Sequence, residues 1–484
     1  MKGRDLTLLT DLYQLTMMQG YYNSGLKNKD VIFDLFYRVN PCGNGFAIAA
    51  GLEQAIEYLE NLSFNDENLD YLKSLGRFDY EFIEYLRDFK FTGEVWAIPE
   101  GSVVFPQEPL LRIKAPIIEA QLIETALLNI INHQSLIATK ASRVVRAAGG
   151  DKVLEFGLRR AQGPDAGVYG SRAAIIAGCH ATSNVLAGQK FGVPVSGTHA
   201  HSWVMSFPDE LTAFREYAKV FPESCTLLVD TYDTLKSGVP NAIKVFQEMR
   251  SNGIELKNYG VRLDSGDFAY LSKKTRAMLN TAGFEDAFIS ASSDLDENLI
   301  VHLKLQGAQI TQWGVGTRLI TSDDCPSFGG VYKLAAEFED NGKMIPKIKL
   351  SENPVKVTNP GIKKVIRLYD KDSGKAKADL ITLEEEAIDT RQDLTIFDPL
   401  ATWKTMTLKK NSFQTREMLV PVIREGKTIY SSPSVMEIRD YCLKEQNSLW
   451  DEHKRLINPQ TLPVDLSQKL YDLKQHMIKE IREE

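Results

Sequence analysis

From about residue 151 to residue 320 the chain repeats one pattern of apolar and polar positions. A short apolar run is followed by a polar cluster and then by a stretch with apolar residues at the helical period. The apolar runs are KVLEF, VPVS, CTLLVD, YGVRLD, AFISAS and QITQWG, and the helical stretches include SRAAIIAGCHATSNVLAGQ, DELTAFREYAKVF, NAIKVFQEMRSNG and FAYLSKKTRAMLNTAG. Because strands that alternate with helices pair in parallel, the pattern predicts a parallel α/β domain.

Each of these apolar runs ends in side chains or glycines that can take part in chemistry. They are Glu155 and Arg159; Thr198, His199 and His201; Asp230 and Asp233; Arg262, Asp264 and Asp267; Ser292, Ser293 and Asp294; and Gly314, Gly316 and Thr317. The loops after the strands of a (β/α) barrel converge on one ligand, whereas an open sheet concentrates such groups at one switch point. The sequence therefore predicts an irregular (β/α) barrel, with VYKLAAEF near residue 331 as a possible seventh unit.

The segments on either side of the predicted barrel follow other patterns. Residues 1–125 combine a helix, LYQLTMMQGYY, with strands at DVIFDLFYRV and within GEVWAIPEGSVVFPQEPLLRIKAP, which predicts an α+β domain. A connecting helix is predicted from Glu119 to Ala148, and the barrel domain is expected to span residues 126–350. After residue 335, strands are predicted at PKIKL and KKVIRLYD, on either side of a TNPG turn. Residues 351–484 are expected to form a C-terminal region, part strand and part helix, whose last sixty residues are mostly charged amphipathic helix.

Composition narrows the class of protein. The chain has 484 residues, 43% hydrophobic and 25% charged, which is typical of a globular protein of two or three compact units. Acidic residues outnumber basic residues, 64 to 57, which disfavours a protein that wraps nucleic acid. The five cysteines form no C-x-x-C pair and no apolar stretch is long enough for a membrane span, so we expect a cytoplasmic protein without nucleic-acid or membrane partners.

The segment VSGTHAHSWVM places His199 and His201 two positions apart, after a run predicted to be a buried strand. On a strand, both imidazoles would point to one face, so a metal-dependent hydrolase on a (β/α) barrel is one alternative. That enzyme would need further ligands, but His302, the later histidine of the barrel region, is predicted to pack within a helix. The pair could also be structural, or one imidazole could act as a base or carry a phosphate.

Two further segments carry candidate acids. CTLLVDTYDTLKSG resembles only weakly the diphosphate loop of open-sheet phosphoribosyltransferases, because Asp230 and Asp233 are three positions apart. These carboxylates could hold ribose hydroxyls or a Mg²⁺ ion on a diphosphate, or they could cap the next helix. In VRLDSGD, Arg262 and Asp264 share one face of a strand, which suits either a ligand with a carboxylate or phosphate or a structural ion pair.

In WGVGTR, the backbone amides around Gly314, Gly316 and Thr317 could approach a phosphate. Short glycine turns are also common in loops, so this segment alone indicates little.

Taken together, the motifs resemble one family over nearly the whole chain. TDLYQLTMMQGYY, EFGLRR, GSRAAIIAG, SGTHAHS, VRLDSGD, GVGTRLITS followed by GGVYKL, and KVTNPG resemble the nicotinate phosphoribosyltransferases, in the same order. The resemblance implies the irregular α/β barrel of type II phosphoribosyltransferases with an N-terminal α+β domain. It also implies an ATP-dependent enzyme, classed as a ligase, that makes nicotinate mononucleotide and diphosphate from nicotinate and 5-phosphoribosyl 1-diphosphate in NAD biosynthesis.

The resemblance also assigns roles to residues. His201 would become a phosphohistidine that couples ATP hydrolysis to the reaction, while His199 is not required. Nicotinate would contact Thr198, Arg262, Phe156, Arg159 and Tyr13, the last reaching in from the neighbouring subunit of a homodimer. The phosphoribosyl diphosphate would lie against Gly314, Gly316 and Thr317. Asp230 and Asp264 are expected to hold ribose hydroxyls or waters on Mg²⁺, the natural partner of diphosphate. Asn184 stands where relatives specific for nicotinamide tend to carry an acid, which suits an anionic substrate.

Overall fold

A computed structural model of the chain describes residues 5–483, which form two compact units. The first unit contains the described residues up to 136, residues 327–433 and those from 441 onward, and the second contains residues 137–326 and 434–440. The domain boundaries near residues 125 and 350 rest on sequence patterns and stay a prediction. Within the described part of the chain, no helix combines the length and the apolar composition that a membrane crossing requires.

The strands and helices are numbered in chain order. The strands are β1 Asp30–Tyr37, β2 Ala47–Ile48, β3 Glu94–Ala97, β4 Val103–Val104, β5 Leu111–Pro116, β6 Lys152–Glu155, β7 Ala181–Thr182, β8 Ser224–Leu228, β9 Asn258–Leu263, β10 Phe288–Ser292, β11 Gln312–Val315, β12 Gly330–Phe338, β13 Met344–Pro346, β14 Lys363–Asp370, β15 Ala376–Leu383, β16 Leu394–Asp398, β17 Ala401–Leu408, β18 Phe413–Glu417, β19 Val420–Arg424, β20 Lys427–Thr428 and β21 Val464–Leu466. The helices are α1 Leu12–Asn23, α2 Leu52–Glu60, α3 Asp66–Ser74, α4 Tyr80–Arg87, α5 Ile117–Leu122, α6 Glu124–Ala148, α7 Pro164–Ile176, α8 Val185–Phe191, α9 His201–Met205, α10 Glu210–Val220, α11 Val239–Ser251, α12 Phe268–Thr281, α13 Glu297–Leu305, α14 Thr317–Ile320, α15 Val435–Asn447 and α16 Gln468–Glu483.

A six-stranded parallel sheet forms the core of the second unit, in the order β7-β6-β11-β10-β9-β8. Its strands are buried on both faces, and Leu227, Val261, Ile289 and Trp313 have no exposed surface. In the described chain β7 and β8 lie at opposite ends of the sheet, which curls into a half-barrel that does not close. The predicted irregular α/β barrel is therefore confirmed.

The prediction of a strand at VPVS is wrong, because in the described chain Val195 makes one isolated bridge, to Thr182, and belongs to no strand. The strand beside β6 is instead β7, inside the segment predicted to be one helix from SRAAIIAG to NVLAGQ. That helix is divided because Gly178 adopts φ +117° after α7, a conformation that favours glycine. The Asn184 side chain then accepts a hydrogen bond from the Ala187 N–H and begins α8.

The prediction of VYKLAAEF as a possible seventh barrel unit is also wrong. This segment forms β12 of the first unit and pairs antiparallel with β1 in a sheet of order β13-β12-β1-β5-β3-β19-β20. Tyr332 of this strand stacks on Phe33 with a centroid distance of 4.6 Å. An apolar run does not reveal its partner strand, and here the partner lies near the other end of the chain.

Three smaller expectations need correction. The predicted connecting helix is two helices, α5 and α6, which meet at Ile123. Only Pro346 of PKIKL belongs to a strand. The end of the chain contains two helices, α15 and α16, separated by a segment that includes β21, so it is less helical than its charge pattern predicts.

A buried ion pair joins two neighbouring strands of the first unit. Arg367 on β14 and Asp379 on β15 have no exposed side-chain surface, and Arg367 Nη2 lies 2.6 Å from Asp379 Oδ2. The same guanidinium donates to the carbonyl of Val103 at 2.9 Å and lies 3.3 Å from Glu445 Oε2. Since one cation serves two carboxylates, removing it leaves buried charge without a partner.

We expect Arg367→Met to lower the free energy of unfolding by about 3–5 kcal/mol, because the buried Asp379 would lose its cation. Urea unfolding followed by far-UV circular dichroism measures this change. Arg391→Met is the matched control, since Arg391 pairs with Asp389 on the surface at 2.9 Å and should contribute less than about 1 kcal/mol. Equal effects of the two substitutions would contradict the assignment.

Candidate active site

A cavity of about 410 Å³ lies at the carboxyl ends of the parallel strands of the second unit. It collects most of the residues singled out in the sequence, and every strand of the sheet except β8 contributes a residue at or just after its carboxyl end. The lining residues are Phe156, Arg159, Arg160, Ser183, residues 197–201, Arg262, Asp264, residues 292–294, Gly314, Gly316 and Thr317. The predicted convergence of strand-end side chains is therefore present.

The two histidines do not form a symmetric pair. They are not on a strand, since His199 lies in a loop and His201 begins α9. His199 Nε2 accepts a hydrogen bond from the Leu228 N–H at 3.2 Å, and its Nδ1 lies 3.3 Å from the Ala200 carbonyl, so Nδ1 carries the proton. Burial lowers the pKa of His199 to about 4 and keeps the ring neutral.

His201 occupies a more open position, with 40% of its side chain exposed. Its Nδ1 lies 3.1 Å from Thr231 Oγ1, and its Nε2 lies 3.6 Å from Asp264 Oδ2. When Nδ1 donates to Thr231, Nε2 has a free lone pair. His201 is thus the histidine of the pair that can act as a nucleophile or a base.

Arg262 is the main cation of the pocket. Its guanidinium donates to Thr198 Oγ1 and, at 3.1 Å, to the His199 carbonyl, while its buried Nε–H has no hydrogen-bond partner. Burial lowers the pKa of Arg262, and the carboxylates of Asp264 and Asp230 act in the opposite direction. A partly buried guanidinium held by neutral oxygens suits an anionic ligand such as a carboxylate.

Asp230 and Asp264 form a linked pair of carboxylates. Asp230 Oδ2 accepts hydrogen bonds from the Asp264 N–H at 2.9 Å and from Ser265 Oγ at 2.6 Å, while its Oδ1 is buried without a partner. Asp264 Oδ1 accepts a hydrogen bond from Ser292. Two carboxylates with spare oxygens fit Mg²⁺, which proteins bind through one or two carboxylates together with substrate phosphates.

A buried carboxylate shapes the loop that carries Phe156 and Arg159. Glu155 has no exposed surface and accepts hydrogen bonds from the Gly157 N–H, from Ser171 at 2.7 Å and from Thr182 at 2.6 Å. Burial raises its pKa, and these hydrogen bonds oppose the rise. Phe156 then packs over Gly314, where any Cβ would lie 2.7 Å from the ring, so position 314 requires glycine.

Other singled-out residues lie elsewhere. Tyr13 is on α1 in the first unit, with 48% of its surface exposed. Asp233 accepts hydrogen bonds from the Leu235 and Lys236 N–H groups, so it caps the following turn. Asn184 is buried and hydrogen-bonded to Ser171 and the Gly167 carbonyl, and it does not belong to the pocket lining.

Sequence reasoning missed Arg160, Ser183 and Thr231. Ser183 follows a two-residue strand hidden in a helical pattern, so no sequence signal marked it as a strand end. Thr231 lies next to Asp230, at a strand end that was recognised, and its hydroxyl could have been considered. In the described part of the chain, no group of three or more His, Cys, Asp or Glu residues could hold a metal ion, which disfavours the hydrolase alternative with the His199 and His201 pair.

Family models cover most of the chain. Residues 8–132 match the nicotinate phosphoribosyltransferase N-terminal domain, residues 152–328 match the nicotinate phosphoribosyltransferase family, and residues 362–474 match its C-terminal domain. The nicotinate phosphoribosyltransferase of Bacillus subtilis (strain 168) is 48% identical over 481 residues, which cover 99% of this chain and 97% of that protein. The Caenorhabditis elegans enzyme of the same name is 36% identical over 97% of this chain and 93% of its own length.

Solved structures agree with these matches. The crystal structure of human nicotinic acid phosphoribosyltransferase superposes with a TM-score of 0.83 at 32% identity, covering 97% of this chain and 99% of that one. A nicotinate-nucleotide pyrophosphorylase from Pyrococcus furiosus, at 22% identity and a TM-score of 0.69, shares the fold over 92% of this chain and 96% of its own. The half-barrel, its cavity and these relatives lead to one conclusion: the chain belongs to the nicotinate phosphoribosyltransferase family.

Proposed function

We propose that this enzyme transfers phosphoribose from 5-phosphoribosyl 1-diphosphate to nicotinate, and that it couples the transfer to ATP hydrolysis through phosphorylation of His201. The products are nicotinate mononucleotide and diphosphate, in NAD biosynthesis. The observation that carries the proposal is the cavity in which Arg262, Asp264 and the accessible imidazole of His201 converge, with Asp230 hydrogen-bonded to the Asp264 N–H. ATP dependence is the property that places such an enzyme among the ligases.

Nicotinate binds beside Arg262 in this proposal. Its carboxylate pairs with the Arg262 guanidinium and accepts a hydrogen bond from Thr198, while Phe156 contacts the pyridine ring and Arg159 adds positive charge. The support is that Arg262 is held by neutral oxygens only and keeps an unpartnered Nε–H. A substrate carboxylate would form the direct ion pair that this partly buried cation lacks.

The phosphoribosyl donor binds in the same cavity, next to nicotinate. Its 5-phosphate lies against Gly314, Gly316 and Thr317, and its ribose hydroxyls bond to Asp230 and Asp264. The nitrogen of nicotinate forms a bond to the anomeric carbon as the bond from that carbon to diphosphate breaks. Positive charge then builds on the ribose and negative charge on the diphosphate, so catalysis comes from positioning and from fixed charges.

Asp230 and Asp264 would hold Mg²⁺, which when bound would neutralise part of the charge on the diphosphate. Within the chain itself, Ser292 and the backbone N–H of Asp264 keep these two carboxylates in place. Their position does not depend on a flexible surface side chain.

His201 carries the phosphate of the coupling reaction. Its Nε2 lone pair attacks the γ-phosphorus of ATP, the bond to ADP breaks, and ADP leaves with the electron pair; water later breaks the phosphorus to nitrogen bond. Thr231 favours this reaction because it binds Nδ1 and leaves Nε2 free. The phosphoryl group adds negative charge at the pocket lining and strengthens binding of the phosphoribosyl donor.

In a homodimer, Tyr13 stacks on the pyridine ring of the nicotinate that is bound in the neighbouring subunit. Its side chain is 48% exposed in the single chain. Partial burial, with the nearby carboxylate of Glu124, raises the pKa of Tyr13 to about 12, so its ring stays neutral at physiological pH. A cytoplasmic location completes the proposal.

For His201→Ala we expect no covalent phosphate after incubation with γ-labelled ATP, and nicotinate turnover that no longer responds to ATP. The wild type should carry an acid-labile, base-stable phosphate. His476→Gln, which changes an exposed histidine, is the control and should label like the wild type. Full labelling of His201→Ala would rule out the assigned phosphohistidine.

Arg262→Gln should lower kcat/KM for nicotinate about 10- to 100-fold, because a hydrogen bond to a charged group contributes about 1.5–3 kcal/mol. Turnover of nicotinamide, which lacks the carboxylate, should change much less. Steady-state assays with both substrates measure the difference. The surface variant Arg215→Gln is the control. Equal losses with both substrates would refute the carboxylate contact.

The neutral His199 should make folding sensitive to acid. Its pKa is about 4 when folded, against the usual 6.5, so its contribution to stability is full above pH 6.5 and declines as the pH falls towards 4. His199→Gln should therefore flatten the fall of unfolding free energy over this range, measured by urea unfolding at several pH values. The control, His476→Gln, should leave the dependence of unfolding free energy on pH unchanged. If His199→Gln showed the same dependence as the wild type, the buried neutral state of His199 would be contradicted.

A further inference from the structure

A second cavity, of about 370 Å³, lies within the first unit and is lined by none of the residues assigned to the reaction. Its walls come from β15, β21, α16, the turn between β16 and β17, and residues 354–359. Most of the surface is apolar, with Ile381, Leu466 and Ile478 among the lining side chains. Its volume falls in the range of about 300–1,000 Å³ that is typical of small-molecule sites.

Lys474 brings a positive charge into this apolar cavity. Its Nζ donates to Asn359 Oδ1 at 2.8 Å, and within residues 5–483 it has no carboxylate at ion-pair distance. Lys363, a buried lysine of the same unit, has the partner that is usual for a buried cation: its Nζ lies 2.7 Å from Asp34 Oδ2. Burial and the charge of Lys363 lower the pKa of Lys474 to about 8, as expected for an ammonium without an anion.

The other charged groups of the cavity do not supply that anion. Asp398 accepts a hydrogen bond from the Leu400 N–H at 2.8 Å and lies 3.8 Å from Lys404. Arg38 also lines the cavity, and its buried Nε–H has no hydrogen-bond partner. The cavity therefore combines apolar walls with cationic donors that are not paired with carboxylates.

We propose that this cavity is a second ligand site, which binds a small amphipathic carboxylate with its head group on Lys474 Nζ and its apolar body against Ile381, Leu466 and Ile478. The carboxylate provides the missing counter-ion, and the apolar walls remove the body of the ligand from water. A neutral ligand would leave the ammonium without an anion, and an amine would repel it. The site is independent of the reaction proposed above.

Isothermal titration of the full-length protein with octanoate tests the proposal. We expect one octanoate per chain in the wild type, and affinity at least about tenfold weaker for Lys474→Met, which keeps the length of the side chain and removes its charge. Lys479→Met, on the same helix but exposed and paired with Glu483, is the matched control and should bind like the wild type. Octan-1-ol and octylamine should each bind at least about tenfold more weakly than octanoate.

Ile478→Trp provides a second variant that fills the cavity without touching the lysine, and it should abolish octanoate binding while the thermal unfolding midpoint shows that the protein is folded. Saturating nicotinate should not displace octanoate. The proposal would be overturned by any of three results: no binding of octanoate to the wild type, unchanged affinity in Lys474→Met and Ile478→Trp, or displacement of octanoate by nicotinate. Nicotinate turnover, measured in parallel, reports separately on the proposed reaction.

Discussion

The parallel alignment of six strands in one sheet is the constraint on which the active site depends. Because all six strands run the same way, each following loop starts from the same edge, and segments far apart in sequence meet there. The sheet does not close, so its last strand, β8, keeps one edge without a partner strand in the described chain. His199 accepts the Leu228 N–H at that edge and anchors the loop that carries Thr198 and His201.

Three charged side chains in or next to the strand-end loops, Arg262, Asp230 and Glu155, are held mainly by backbone and hydroxyl groups rather than by ion pairs. Arg262 donates to a carbonyl and a hydroxyl, Asp230 accepts from an N–H and a hydroxyl, and Glu155 accepts from an N–H and two hydroxyls. Such partners orient a charged side chain without neutralising it. The pocket is thereby organised before a charged ligand arrives, which is what electrostatic catalysis requires.

In the seven-stranded sheet of the first unit, neighbouring strands are often far apart in the sequence. Strands β1, β3 and β5 lie in one sheet with β12, β13, β19 and β20, which come more than 200 residues later in the chain. The buried charges of this unit differ in how they are satisfied. Arg367 and Lys363 have carboxylate partners within the fold, whereas among residues 5–483 the polar partner of Lys474 is the amide of Asn359 and no carboxylate pairs with it. That contrast distinguishes structural ion pairs from a cation that can receive a ligand.

The sequence by itself determined the class of fold, most strands and helices of the second unit, the motifs that indicate the family, and the strand ends at which polar residues cluster. These features depend on local periodicity and on residue order, which a sequence displays directly. Only the tertiary structure decided that VYKLAAEF belongs to another sheet, that a strand interrupts the helix before Asn184, and that His199 and His201 have different surroundings. Strand partners and the neighbours of a side chain are set by contacts across long stretches of chain, and a pattern within one segment does not contain them.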